Sequence, residues 1–162
     1  MHFWSLACII RRMFSELSHA QIQWLTDKDS LTARLKQFTQ DRIQFHVLYN
    51  HWENDDWVRR IEWRCDQQTW ITGLVIIPKK TLHANNNELM QVREKPIGEI
   101  LFQDKNLTRS EFTFKQLGEK HWQRTSTFYF RENPLCVTET FLPAFFSACL
   151  NHTYNSCASI SP

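Results

Sequence analysis

Only 3 glycines and 5 prolines occur among 162 residues, and neither type clusters. That excludes collagen-like repeats and a Gly/Ser-rich or Pro-rich interdomain linker. An excess of one charge is also missing, since 19 Lys and Arg face 17 Asp and Glu for a net of +2. The basic doublets Arg11-Arg12, Arg59-Arg60 and Lys79-Lys80 stand far apart, so the chain lacks the basic stripe of a nucleic-acid binder and any anionic partner should be small. Cys8, Cys65, Cys136, Cys149 and Cys157 form no C-x-x-C pair, which argues against a disulfide framework or zinc ribbon and for a reducing compartment. The 7 histidines show no H-E-x-x-H spacing, leaving metal catalysis without a sequence basis. No apolar run reaches the ~20 residues that span a bilayer. The apolar stretch Phe3 to Ile10 is followed by Arg11-Arg12, the reverse of a secretory signal, so a cytoplasmic protein is expected.

Aromatic residues are what the chain has in quantity: 12 Phe, 7 Trp and 3 Tyr, within a hydrophobic fraction of 42%. At this length a single domain buries roughly 70% of its unfolded surface and needs no metal or disulfide to hold a core. Ser18-His19-Ala20-Gln21 has the form of a capping box and starts a short helix. Asp29-Ser30 caps a second whose amino end lies near Leu31, with Leu31, Leu35 and Phe38 at helical spacing. From Ile43 the period changes to two. Strands are expected at Ile43 to Tyr49, Asp56 to Arg64, Thr69 to Ile77, Glu111 to Lys115, Trp122 to Phe130 and Leu135 to Leu142, all alternating and therefore antiparallel, with a hairpin through Cys65 to Gln68. Short helices are expected at Glu88 to Val92 and Pro96 to Phe102, with Pro96 at the first helical position. The fold class is α+β: six antiparallel strands in one sheet, helices over one face. Residues 1–19 read as an N-terminal extension, with Met13 as an alternative start, 20–144 as the domain, and 145–162 as a flexible tail.

Two charges interrupt the alternation. Arg59 shares a strand face with Trp57, Ile61 and Trp63, and Glu139 shares one with Val137 and Phe141. A buried charge costs several kcal/mol unless it is paired and hydrogen-bonded. Either the two pair with each other, or one strand is turned over, or they line a ligand pocket. Leu31 and Ile97 each fall in the first turn of an expected helix, where unpaired amides and the dipole favour an anion. No G-x-S-x-G or Cys/His signature supports a nucleophile, and the aromatic stripes read as core.

Several blocks carry a resemblance: Trp24-Leu25 through Asp29-Ser30-Leu31-Thr32, Trp57-Val58-Arg59, Trp70-Ile71-Thr72-Gly73 to Ile77-Pro78, Pro96-Ile97-Gly98 to Leu101-Phe102, Leu107-Thr108-Arg109, Trp122 with Arg124 and Ser126, and Thr138 to Ala144. In order and content the chain resembles the chorismate pyruvate-lyase family over about residues 20–144. The resemblance implies conversion of chorismate to 4-hydroxybenzoate and pyruvate, the first committed step of ubiquinone biosynthesis, without a cofactor. It implies a six-stranded antiparallel sheet over an enclosed pocket. It also implies that Arg59 and the amides of Leu31 and Ile97 hold the ring carboxylate, while Glu139 contacts the ring hydroxyl and can assist proton removal. Arg59 and Glu139 would then be the catalytic pair.

Three departures stand out. Leu74 occupies a position where family members carry an arginine, which leaves the second substrate carboxylate to Arg60 or Arg124. The link from His51 to Asp56 is short, and the chain after Ala144 is long. A monomer is expected, with chorismate as its small-molecule partner and no nucleic acid or membrane span. The rival reading is a non-catalytic effector-binding domain of the same fold, which would normally follow a helix-turn-helix module; only about 20 residues precede the matched region.

Overall fold

Period-two alternation builds the sheet. The structure, a computed structural model, describes residues 12–158. Its strands are β1 (Gln44–Glu53), β2 (Asp56–Cys65), β3 (Gln68–Pro78), β4 (Thr108–Arg109), β5 (Thr113–Gly118), β6 (His121–Phe130) and β7 (Asn133–Phe141). They form one antiparallel sheet in the order β1-β2-β3-β7-β6-β4, with β5 also paired to β6. The sheet thus has seven strands where six were expected, because the two residues of β4 are too few to show a period. The hairpin between β2 and β3 turns through Asp66 and Gln67, both at positive φ, and that between β6 and β7 through Arg131 and Glu132, also at positive φ. Left-handed pairs of this kind match the right-handed strand twist, and here they are made without glycine.

Helices are α1 (His19–Thr26), α2 (Leu31–Thr39), α3 (Lys79–Ala84), α4 (Gly98–Leu101) and α5 (Pro143–Ala158), with a 3-10 turn at Glu88–Val92. The capping box of α1 forms as its sequence predicts: Gln21 N–H donates to Ser18 Oγ at 3.3 Å and Ser18 N–H to Gln21 Oε1 at 2.8 Å. Ser30 caps α2 in the same way through Ala33 N–H. The helix expected from Pro96 begins at Gly98 instead, after a turn in which Glu99 N–H donates to the Pro96 carbonyl. α3 was not legible in the sequence.

One sheet face carries two apolar clusters. Trp24 and Leu25 of α1 and Leu35 of α2 cluster with Trp63, Trp70 and Phe141 of the sheet. Leu82 of α3 and Leu101 of α4 cluster with Val75, Ile77, Phe128 and Leu135 of the sheet. The other face mixes polar and apolar residues, with Thr125 and Thr138 hydroxyls 3.0 Å apart across β6 and β7.

Both domain limits drawn from sequence are too narrow. Phe14 and Leu17 are buried in the first cluster, and the Glu16 carboxylate accepts from Trp122 Nε1 at 2.7 Å, so residues 14–19 are part of the body. Residues 1–11 lie outside the described residues. At the other end Phe145, Phe146 and Cys149 are buried, and Gln21 Nε2 donates to the Phe146 carbonyl at 3.0 Å. Ser, Asn and Cys in the segment concealed an apolar helix stripe. The expected flexible tail is therefore packed at least to Cys149, and residues 159–162 lie outside the described ones.

Candidate active site

The seam between the two clusters encloses a cavity. Its floor is the sheet, with Ile61, Gly73, Val75 and Val137, and its cover is the first turn of α2 together with Pro96, Ile97 and Gly98. A Cβ on Gly73 would come 2.5 Å from Ile61 Cδ1, so glycine lets Ile61 lie flat there. About 50 Å³ is left for the centres of water-sized atoms, several times what one water needs. Arg59, Glu139, Leu31 and Ile97 all line this one cavity. The four residues singled out in the sequence are therefore neighbours in space.

Arg59 is 3% exposed on β2. Its Nη2 donates to the carbonyls of Arg93 at 2.6 Å and Lys95 at 2.5 Å, which ties the loop ahead of α4 over the cavity. Its Nε is buried without a protein partner, as is Nε1 of Trp63, another residue of the cavity wall. Burial pushes the Arg59 pKa down to about 10, against the opposing charge of Glu94. A desolvated cation with an unpartnered buried donor can seat an anion.

Glu139 sits across the strands from Arg124 on β6 and Gly73 on β3. Its Oε2 accepts from Arg124 Nε at 2.5 Å and from Arg109 Nη2 at 3.4 Å. The ion pairs of Glu139 are with these two arginines and not with Arg59, so the reading in which Arg59 and Glu139 neutralise each other falls. Arg124 is 1% exposed and its Nη1 also donates to the carbonyls of Trp24, Leu25 and Asp27. It thereby satisfies the carbonyls left unpaired at the end of α1.

Arg109 is held on β4 by bonds from Nε to Ser126 Oγ at 2.8 Å and from Nη1 to the Lys28 carbonyl at 3.2 Å. Its guanidinium carbon lies 4.3 Å from the ring centroids of both Phe112 and Phe128. Burial pushes its pKa down to about 10 although Glu139 pulls it the other way. Arg59 and Arg109 line the cavity with two acidic residues, Glu139 and Asp29, while Arg124 backs Glu139 from outside that lining. Both cavity arginines are desolvated, and each can seat a carboxylate.

Residues 11–150 match the chorismate lyase family. A probable chorismate pyruvate-lyase of Coxiella burnetii is 35% identical over 153 residues, covering 76% of this chain and 83% of that protein. The chain belongs to the chorismate lyase family. Chorismate pyruvate-lyases of Proteus mirabilis (29% identical; 80% of this chain, 94% of that protein) and Pectobacterium atrosepticum (30%; 74% and 75%) are similar to it as well.

Within this chorismate lyase fold, both substitutes named for the second carboxylate fail on position. Arg60 is exposed on the opposite sheet face, where its Nε donates to Tyr49 Oη at 2.9 Å. Arg124 is not among the residues that line the cavity, and its Nε and Nη1 are engaged by Glu139 and α1. Leu74 pairs with Arg60 and Thr138 and points to that same outer face, so its identity does not alter the cavity. Arg109 is the cation that sequence reasoning missed. It stood in the Leu107-Thr108-Arg109 block, but a two-residue strand has no alternation to reveal its face.

Proposed function

We propose that chorismate binds in the seam cavity and is converted there to 4-hydroxybenzoate and pyruvate. The observation that carries this is the pair of desolvated arginines, Arg59 and Arg109, that line one cavity with Glu139 in a member of this family: chorismate carries two carboxylates. Arg59 holds the ring carboxylate through charge-assisted bonds, assisted by the amides of Leu31 and Ile97. Both arginine bonds to Glu139 fall on Oε2, and Oε1 is the oxygen that accepts from the ring hydroxyl.

The chemistry asks little beyond placement. The bond between the ring carbon and the ether oxygen breaks, and that oxygen becomes the keto oxygen of pyruvate. The hydrogen on the hydroxyl-bearing carbon moves to the enolpyruvyl methylene, which becomes the methyl group. The electron pair of its C–H bond closes the third ring double bond, so aromatisation drives the step. Transfer within the substrate requires only that the side chain be held over that hydrogen; Glu139 orients the hydroxyl and can relay the proton.

Incubation with chorismate should yield 4-hydroxybenzoate and stoichiometric pyruvate, with the rate unchanged by chelator or by thiol alkylation. The thiols of Cys65 and Cys136 are shifted up by burial and that of Cys149 is pushed up to about 12, so none is a ready nucleophile. Activity lost to chelator and restored by metal would sink the cofactor-free mechanism, and no product at all would sink the lyase reading.

The product should stabilise the fold. At 100 times its Kd a ligand adds about 2.7 kcal/mol, and 4-hydroxybenzoate should raise Tm more than benzoate, which offers Glu139 no hydroxyl. Equal shifts in a thermal melt would remove Glu139 from the binding site. We further place the reaction at the head of ubiquinone biosynthesis, in the cytoplasm and in a monomer. Cys65, Cys136 and Cys149 are free thiols, in keeping with a reducing compartment.

A further inference from the structure

Two cations line the cavity, and the chemistry of the substrate separates their tasks. On the chorismate ring the hydroxyl stands opposite the ring carboxylate, and the enolpyruvyl ether stands on the carbon next to the hydroxyl. Whatever meets the hydroxyl is therefore close to the side-chain carboxylate and a full ring away from the other one. Arg109 Nη2 is 3.4 Å from the Glu139 carboxylate, the group given to the hydroxyl, whereas Arg59 makes its contacts with the loop carbonyls of Arg93 and Lys95.

The rest of the Arg109 fork is fixed: Nε by Ser126, Nη1 by the Lys28 carbonyl, and the plane by Phe112 and Phe128 on either side. Only Nη2 carries no bond better than the long one to Glu139. A guanidinium so restrained loses little further freedom on binding a carboxylate, and the flanking rings exclude competing water.

We infer that Arg109 seats the side-chain carboxylate of the substrate and so belongs to the binding machinery of the departing half. This rests on the lyase reading above. Held at that carboxylate, the enolpyruvyl group cannot swing away from the ring, and its methylene carbon stays over the hydrogen that it receives. After the ether bond breaks, the carboxylate leaves with pyruvate. The aromatic product then touches Arg59 and Glu139 but not Arg109.

The test compares two stable ligands by calorimetry: 4-hydroxybenzoate, and 3-(1-carboxyethoxy)-4-hydroxybenzoate, which adds a side-chain carboxylate at the position of the ether. The wild-type protein should bind the dicarboxylate tighter by tenfold or more, and Arg109→Met should erase that preference while changing 4-hydroxybenzoate affinity less than about threefold. Its kcat/KM for chorismate should fall roughly 100-fold, the worth of a charge-assisted bond. Arg109→Gln, which keeps a donor towards Glu139 and Ser126, is read in the same way should the methionine variant not fold. Equal losses for both ligands would mean that Arg109 acts only by positioning Glu139, and a wild-type protein without the preference would overturn the assignment outright. A protein that fails to turn over chorismate, yet shows the preference and loses it in the variants, would defeat the lyase reading and leave Arg109 as a second-carboxylate seat.

Discussion

Arg59→Met should yield a folded protein that no longer turns over chorismate. Arg59 is buried, yet no carboxylate neutralises it by direct contact, and its Nε lacks a protein acceptor. The methionine removes a desolvated charge whose proposed counter-ion is the substrate, and an unbranched apolar chain of similar length fills the space. The structural loss is confined to the bonds to the Arg93 and Lys95 carbonyls, about 1 kcal/mol each. Removing one partner of a buried charge pair between ligand and protein costs ~2–5 kcal/mol. kcat/KM should therefore drop on the order of 1,000-fold, and 4-hydroxybenzoate should no longer raise Tm. Chemical denaturation with a turnover assay decides: stability lowered by more than about 3 kcal/mol, or turnover within tenfold of wild type, would contradict the placement of Arg59 at the ring carboxylate.

The opposite balance is expected at Arg124→Met. Nε of this arginine donates to the Glu139 carboxylate, and Nη1 to three carbonyls where α1 ends. Its removal leaves Glu139 with a single long contact to Arg109 and strips the carbonyls of Trp24, Leu25 and Asp27 of a buried donor. Breaking a buried ion pair from one side typically costs ~3–5 kcal/mol, so the variant should unfold at far lower denaturant concentration. Adding Glu139→Gln should recover part of the loss, because the orphaned charge goes with it, although the α1 carbonyls stay unsatisfied. A single variant within about 1 kcal/mol of wild type would show that the Arg124 cluster is not what fastens α1 to the sheet.

Arg59 and Arg124 thus look alike in composition and in burial and differ in what surrounds them. Alternation along β2 and β7 sufficed to place Arg59 and Glu139 on the apolar face, and the same test applied to Trp122, Arg124, Ser126 and Phe128 on β6 finds Arg124, which had been weighed only as a stand-in for Leu74. Outward residues were equally legible: Arg60 and Leu74 alternate with the cavity residues Arg59, Gly73 and Val75, and period two alone turns them away from the substrate.

By itself the sequence determined the antiparallel sheet, the capped starts of α1 and α2, and the presence of charge on buried strand faces, because each of these depends on residues within a few positions of one another. Only the tertiary structure decided which charges meet. Glu139 finds Arg124 15 residues away and Arg109 30 away, and Arg124 reaches Trp24 across 100. It also decided that Phe145 and Phe146 close the first cluster and that β4 aims Arg109 into the cavity. A local pattern registers that a polar group has left water; the partner that stabilises it there is chosen by strand order, over distances along the chain that no periodicity spans.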